Sequence, residues 1–186
     1  ARTTPATIAT LLTQPQDPWQ IFTLEDVFEP RPPLVWVVKG ILAEGSLSIW
    51  YGAPGTLKSM ILAEMGVCVA AGKPWLTPPA GLEPGILTTQ GPVMWLDFDN
   101  GARRTHERFA ALARSRNLPA STPLYYASMP EPGLSAGDTE SMGALANRMV
   151  ARDIKLLIVD NLGVISGESD ENSAEMQKPM AGLRWL

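Results

Sequence analysis

Gly52-Ala53-Pro54-Gly55-Thr56-Leu57-Lys58-Ser59 is the stretch on which the fold turns. It reads as a phosphate-binding loop. Ahead of it, Ser46-Leu47-Ser48-Ile49-Trp50-Tyr51 predicts a buried strand; behind it, the apolar, Ala-rich run from Met60 to Ala71 predicts a buried helix. Strand, glycine loop, Lys-Ser and helix form the context in which such a motif carries physical meaning. Backbone N–H groups of the loop and the helix N-terminus surround phosphate oxygens with positive potential. The expected nucleotide-contacting residues are Gly52, Ala53, Pro54, Gly55, Thr56, Leu57, Lys58, Ser59 and Met60. Lys58 reaches the terminal phosphates as a point charge. The Ser59 hydroxyl ligates Mg²⁺, a cation that keeps few protein ligands and several waters. ATP and Mg²⁺ are the ligands this reading expects.

The stretch departs from the usual pattern G-x-x-x-x-G-K-[ST] at one place, Leu57, where the second glycine belongs. The expectation is that Leu57 takes helical angles in the first helical turn while Gly55 keeps the loop flexible. The plainer alternative is a Gly/Pro turn ahead of an ordinary amphipathic helix. A second motif weighs against it. Ile154-Lys155-Leu156-Leu157-Ile158-Val159-Asp160-Asn161 places four apolar residues before a single acid. A short continuous apolar run predicts a strand buried on both faces of a parallel sheet. Ligands of open α/β sheets bind at the carboxyl ends of such strands. In a phosphate-loop protein the acid there, Asp160, holds the Mg²⁺, often through water.

Composition fits a single α/β domain. The 186 residues are 45% hydrophobic and 18% charged, enough to bury a sizeable core. No apolar run reaches the roughly 18 residues of a membrane helix, so a cytoplasmic chain without membrane contact is expected. Cys68 is the only cysteine, which excludes an internal disulfide and predicts a buried, inert thiol. The net charge of −4 gives no overall attraction to nucleic acid.

Residues 1–33 are rich in Thr, Gln and Pro and read as a loosely structured N-terminal arm, with an amphipathic fragment at Ile21 to Phe28 and breaks at Pro30, Pro32 and Pro33. Residues 34–186 read as the core. Leu34 to Leu42 predicts a short edge strand and turn. Lys73 to Pro92, crowded with Pro and Gly, predicts loop. Val93-Met94-Trp95-Leu96-Asp97-Phe98-Asp99-Asn100 is a second apolar strand ending in acids. A helix follows from Gly101 to about Arg116, with Arg103 placed to pair with Glu107. Leu124 to Ala127 predicts a strand, Asp138 to Arg152 a helix, and Asn161 to Asp170 a loop. A last helix is expected from near Ser173 to the end, kinked at Pro179.

The phosphate loop, the acid-ended strand before Gly101, the strand ending at Asp160 and the segment Asp170-Glu171-Asn172-Ser173-Ala174-Glu175-Met176 together resemble the RecA-like AAA family of P-loop ATPases. Within it the chain is similar to the RepA-type hexameric replicative helicases of plasmids, over roughly residues 34 to 186. The resemblance implies a RecA-like, mostly parallel sheet flanked by helices. It also implies homo-oligomers, hexamers in that subgroup, with single-stranded DNA as a partner. The loop and Asp160 correspond to the family's Walker A and Walker B segments. The family places a catalytic Glu after its second core strand, where it polarises the attacking water. This chain has Asp97 and Asp99 there, and Asp99 lines up better; the plainer reading is that both acids solvate a strand end. The family core continues with a further strand carrying γ-phosphate sensors, so the chain reads as truncated at its C-terminus. Arg103, Arg104 and Arg108 read as a solvated helix face, with neighbour or phosphate contacts as the alternative.

Two functional classes follow. One is an ATP-hydrolysing, helicase-like motor of plasmid, phage or mobile-element DNA replication. The other is a nucleotide-binding switch or loading protein without motor activity, which the departures at Leu57 and Asp99 favour. A small-molecule kinase ranks below both, because no acceptor-binding lid pattern is evident.

Overall fold

The structure is a computed structural model that describes residues 21–78, 84–166 and 177–186. The chain divides into two units, 1–33 and 34–186. The described part of the first unit holds one short 3-10 turn, Glu25–Val27, started by Thr23, whose hydroxyl donates to Asp26.

The second unit begins with an antiparallel hairpin of β1 (Trp36–Val38) and β2 (Leu42–Ala43). The edge strand and turn expected from Leu34 to Leu42 are therefore present. Helix α1 (Lys58–Ala71) follows the glycine loop. It ends at Gly72, whose φ of +64° lets the Gly72 and Lys73 N–H groups close back on the Val69 and Cys68 carbonyls. The described part of the Pro/Gly-rich stretch after it has no helix. Two isolated bridges pin it, Trp75 with Ile86 and Val38 with Thr88.

Strand β3 (Val93–Asp97), helix α2 (Gly101–Ser115), strand β4 (Leu124–Ser128), helix α3 (Thr139–Val150) and strand β5 (Leu156–Asp160) alternate along the chain. This alternation gives a three-stranded parallel sheet in the order β4-β3-β5. Every residue of the central strand β3 is buried, because helices cover both faces. Val93 and Trp95 join Ala63, Val67, Phe109 and Ile158 in one core; Met94 and Leu96 join Ala136, Met142, Leu145 and Ile165 in the other. The alternation is the two-residue period of a strand read on two covered faces. Gly66 lets α1 sit close on the sheet: a Cβ there would lie 3.1 Å from Ile158 Cδ1. Trp95 and Phe109 add an edge-to-face pair with centroids 5.6 Å apart. The architecture is the α/β, RecA-like P-loop class, a parallel sheet flanked by helices.

Two expectations change. Ser46 to Tyr51 is not a buried strand. It has no regular structure and lies exposed, with Tyr51 93% accessible. An apolar run shows that a segment can be buried, but a strand also needs an open sheet edge to pair with, and the described sheet does not include this run. The segment after Asp160 is not all loop. Asn161 caps a short helix α4 (Leu162–Ile165) by accepting the Val164 N–H. The terminal helix α5 is described as Gln177–Trp185. Pro179 lies within the described part of that helix. The start near Ser173 and the Asp170 to Met176 segment lie outside the described residues.

Cys68 is buried in α1, and burial pushes its thiol up to about 11, in keeping with an inert role.

Candidate functional site

The parallel register ends β3, β4 and β5 together, pairing Asp97 with Ser128 on one side and with Asp160 on the other. The carboxyl edge of the sheet thus carries two acids on adjacent strands. They are held very differently.

Asp97 is fully buried and fully engaged. One carboxylate oxygen accepts from the backbone N–H groups of Asp99 and Asn100, at 3.0 and 2.9 Å, and from the Asn100 side chain. The other accepts from the Thr105 hydroxyl on the second turn of α2. Burial pushes the Asp97 carboxyl up, but the donors from Thr105, Asp99 and Asn100 outweigh it and hold the group below the usual carboxylate range. Asp97 therefore fastens the turn between β3 and α2. Asp99, two residues on, is exposed at the mouth of that turn.

Asp160 is also largely buried, with its side chain 14% accessible, but Oδ2 has no hydrogen-bond partner among the described residues. Burial pushes its carboxyl above the ordinary range, and the charges of Asp97 and Asp99 add to this. The Ser59 hydroxyl and the Arg108 guanidinium oppose it. Ser59 thus approaches closely enough to favour the charged carboxylate, yet leaves Oδ2 unsatisfied. Arg108 Nη1 stands 3.9 Å from Oδ2, beyond hydrogen-bond reach, and is itself unpartnered among the described residues. The Asp160–Asn161 peptide is cis.

Ser59 comes from the first turn of α1, and the loop before it is closed on itself. Lys58 Nζ donates to the Gly52 and Ala53 carbonyls at 2.7 and 3.0 Å, and the Thr56 hydroxyl donates to Ala53 at 2.8 Å. Gly52 is needed for closeness: a Cβ there would lie 3.1 Å from Thr56 Oγ1. Gly55 is needed for conformation, with φ +81°.

Leu57 does not take helical angles. It is the N-cap of α1, with φ 62° and ψ 19°, in the left-handed region. That conformation costs a non-glycine residue about 1–2 kcal/mol. The backbone demands a glycine at the very position where the motif usually has one, and the leucine side chain is turned outward, 66% exposed. Pro54 and Met60 are exposed beside it.

Two residues missed in the sequence, and one read chiefly as part of a solvated face, complete the site. Thr105 and Asn100 lock Asp97. Arg108, expected on a solvated face, is buried to 10% side-chain exposure against Asp160. Arg103 and Arg104 are the solvated ones, Arg103 92% exposed and paired with Glu107 at 2.9 Å. Helical spacing groups Arg104 with Arg108 but cannot say which turn of α2 passes the sheet edge.

The donor set fits a magnesium nucleotide. A serine hydroxyl, one carboxylate with an unsatisfied buried oxygen, and a loop of backbone N–H groups with a lysine are what a hard, hydrated cation and a triphosphate use. Among the described residues no three His, Cys, Asp or Glu side chains are grouped to hold a metal alone. Among the described residues no helix is long and apolar enough to cross a membrane.

No curated protein matches the chain. The family model described as the AAA domain matches residues 14–186, nearly the whole sequence. The chain belongs to the AAA domain family of P-loop ATPases.

Proposed function

We propose that the chain binds Mg-ATP at the carboxyl edge of its sheet and hydrolyses it slowly, as a helicase-like motor subunit of plasmid, phage or mobile-element DNA replication. One observation carries the site: at the carboxyl edge of the sheet, Asp160 holds an Oδ2 that is buried and unsatisfied among the described residues. In this reading Gly52 to Met60 wrap the triphosphate. Lys58 leaves the Gly52 and Ala53 carbonyls for the terminal phosphates, and Ser59 with Asp160 holds the Mg²⁺, the acid through water. A metal bound there supplies positive charge to the phosphate oxygens as they become more negative. Asp99 positions the attacking water and accepts its proton. Its exposure at the turn mouth suits that role, and the four donors on Asp97 argue against Asp97 in its place.

A cytoplasmic ring of like subunits on single-stranded DNA belongs to this reading through family resemblance. The division into an arm, 1–33, and an ATPase core, 34–186, is part of the same proposal.

Leu57 favours a second reading, a nucleotide-dependent switch or loader without motor activity. A loop that holds a leucine in a left-handed conformation is strained where it must wrap phosphate. ATP turnover with and without single-stranded DNA separates the two. The motor reading expects DNA to raise turnover several-fold. Nucleotide binding with turnover indifferent to DNA would favour the switch.

A further inference from the structure

Arg108 is a cation with no work assigned to it so far. Its side chain is nine-tenths buried on α2, its Nη1 has no hydrogen-bond partner among the described residues, and it points at Asp160 Oδ2, a buried carboxylate oxygen that also lacks one among them. At 3.9 Å the two are an ion pair without a hydrogen bond. Neither atom is satisfied, which is costly for buried charges unless something else is due at the same place. Lys58 does not help, because it is turned onto the loop carbonyls. Arg108 therefore faces the same oxygen that a metal ion would take, directly or through water.

We propose that Arg108 is a positioning residue that gates the metal: it stands as counter-cation to Asp160 and keeps Mg²⁺ out until a triphosphate arrives. Two cations against one carboxylate repel each other strongly in a part-buried site. A triphosphate changes the balance in two ways. It brings negative charge for the metal, and it offers the guanidinium oxygens with which its planar fork hydrogen-bonds well. Metal alone should bind poorly, and metal with nucleotide should bind well. The exposed neighbour Arg103 cannot do this, since it is spent on Glu107 in solvent.

The inference rests on the nucleotide reading above, and the test separates the two. Mn²⁺ replaces Mg²⁺ so that bound ion can be counted by electron paramagnetic resonance in the full chain. Wild type should take up Mn²⁺ with ATP and should not saturate with Mn²⁺ alone at millimolar concentration. Arg108→Gln should raise affinity for Mn²⁺ alone by about tenfold or more. Arg108→Lys, which keeps a cation, should stay as silent to metal alone as wild type. If Arg108→Gln does not fold, Arg108→Met, which fills similar volume without charge, is the deciding variant and should show the same gain. Wild type that fails to bind Mn-ATP sinks the nucleotide reading itself. Wild type that binds Mn-ATP but binds Mn²⁺ alone equally well overturns only the gate. So does a folded Arg108→Gln with unchanged affinity for the free ion, or an Arg108→Lys that gains it.

Discussion

Asp97 and Asp160 end neighbouring parallel strands as register partners, and both are withdrawn from solvent, yet they are opposite kinds of residue. Asp97 accepts four hydrogen bonds and is held ionised below the ordinary range. Asp160 has an unsatisfied oxygen and is pushed above it. Position at the sheet edge makes an acid available for chemistry; the donors around it decide whether it is used for folding or left for a ligand. The Asp97 turn spends its acid on holding α2. The Asp160 end keeps its acid for something the described residues do not supply.

The largest effect that would sharpen this contrast is on turnover. Asp99 is the exposed acid of the Asp97 turn, so Asp99→Ala should cut ATP hydrolysis by about 10²–10⁴-fold, the usual size of a general-base contribution, with ATP affinity nearly unchanged. Asp99→Glu, one methylene longer, should raise turnover above wild type. Steady-state kinetics beside calorimetry reads both. An Asp99→Ala protein as active as wild type would remove this strand end from catalysis.

Next comes stability. Asp97→Ala strands the Asp99 and Asn100 N–H groups and cuts the tether to Thr105, and should destabilise the chain by about 2–4 kcal/mol in urea unfolding. If Asp97 were a catalytic acid instead, its loss would abolish turnover in a protein of wild-type stability.

The same contrast has a pH signature. The Asp97 carboxyl is held below its unfolded value, so its contribution is present in full above about pH 4 and is lost as pH falls through the lower folded value. Unfolding free energy should therefore drop on acidification below the ordinary carboxylate range. In Asp97→Asn this part of the drop should disappear, which parallel urea titrations at several acidic pH values would show.

The smallest effect lies in the loop. Leu57→Gly relieves a left-handed leucine and should raise stability by about 1 kcal/mol, less whatever the more flexible unfolded chain takes back. It should also tighten ATP binding. A thermal-denaturation comparison in which the variant is less stable would mean that the leucine side chain makes contacts worth more than the strain.

Much of this was readable in the sequence. Leu156 to Asp160 and Val93 to Asp97 are apolar runs of strand length that end in an acid, and each is a strand with that acid at the carboxyl edge. Helix α3 announces its own start, since Asp138 accepts the Ser141 N–H three residues on. What was not readable depended on partners remote in sequence. Ser46 to Tyr51 has the right composition for a strand, but pairing is decided by an edge elsewhere. Thr105 locks Asp97 across eight residues because a helix turns back over a strand end, which no local pattern encodes. Arg108 looks like its neighbours Arg103 and Arg104 until the fold brings it to Asp160 at the end of β5. Leu57 was the instructive case: the missing glycine was visible, and its physical meaning became clear only from a backbone angle.

The most direct test of the central claim is a calorimetric titration of Mg-ATP into wild type and into Lys58→Ala. The account predicts saturable binding by wild type and a loss of at least about tenfold in the variant, the scale of one charge-assisted contact to phosphate. Equal affinity in the two proteins would contradict it, because the loop that Lys58 now holds closed would then not be where the triphosphate binds.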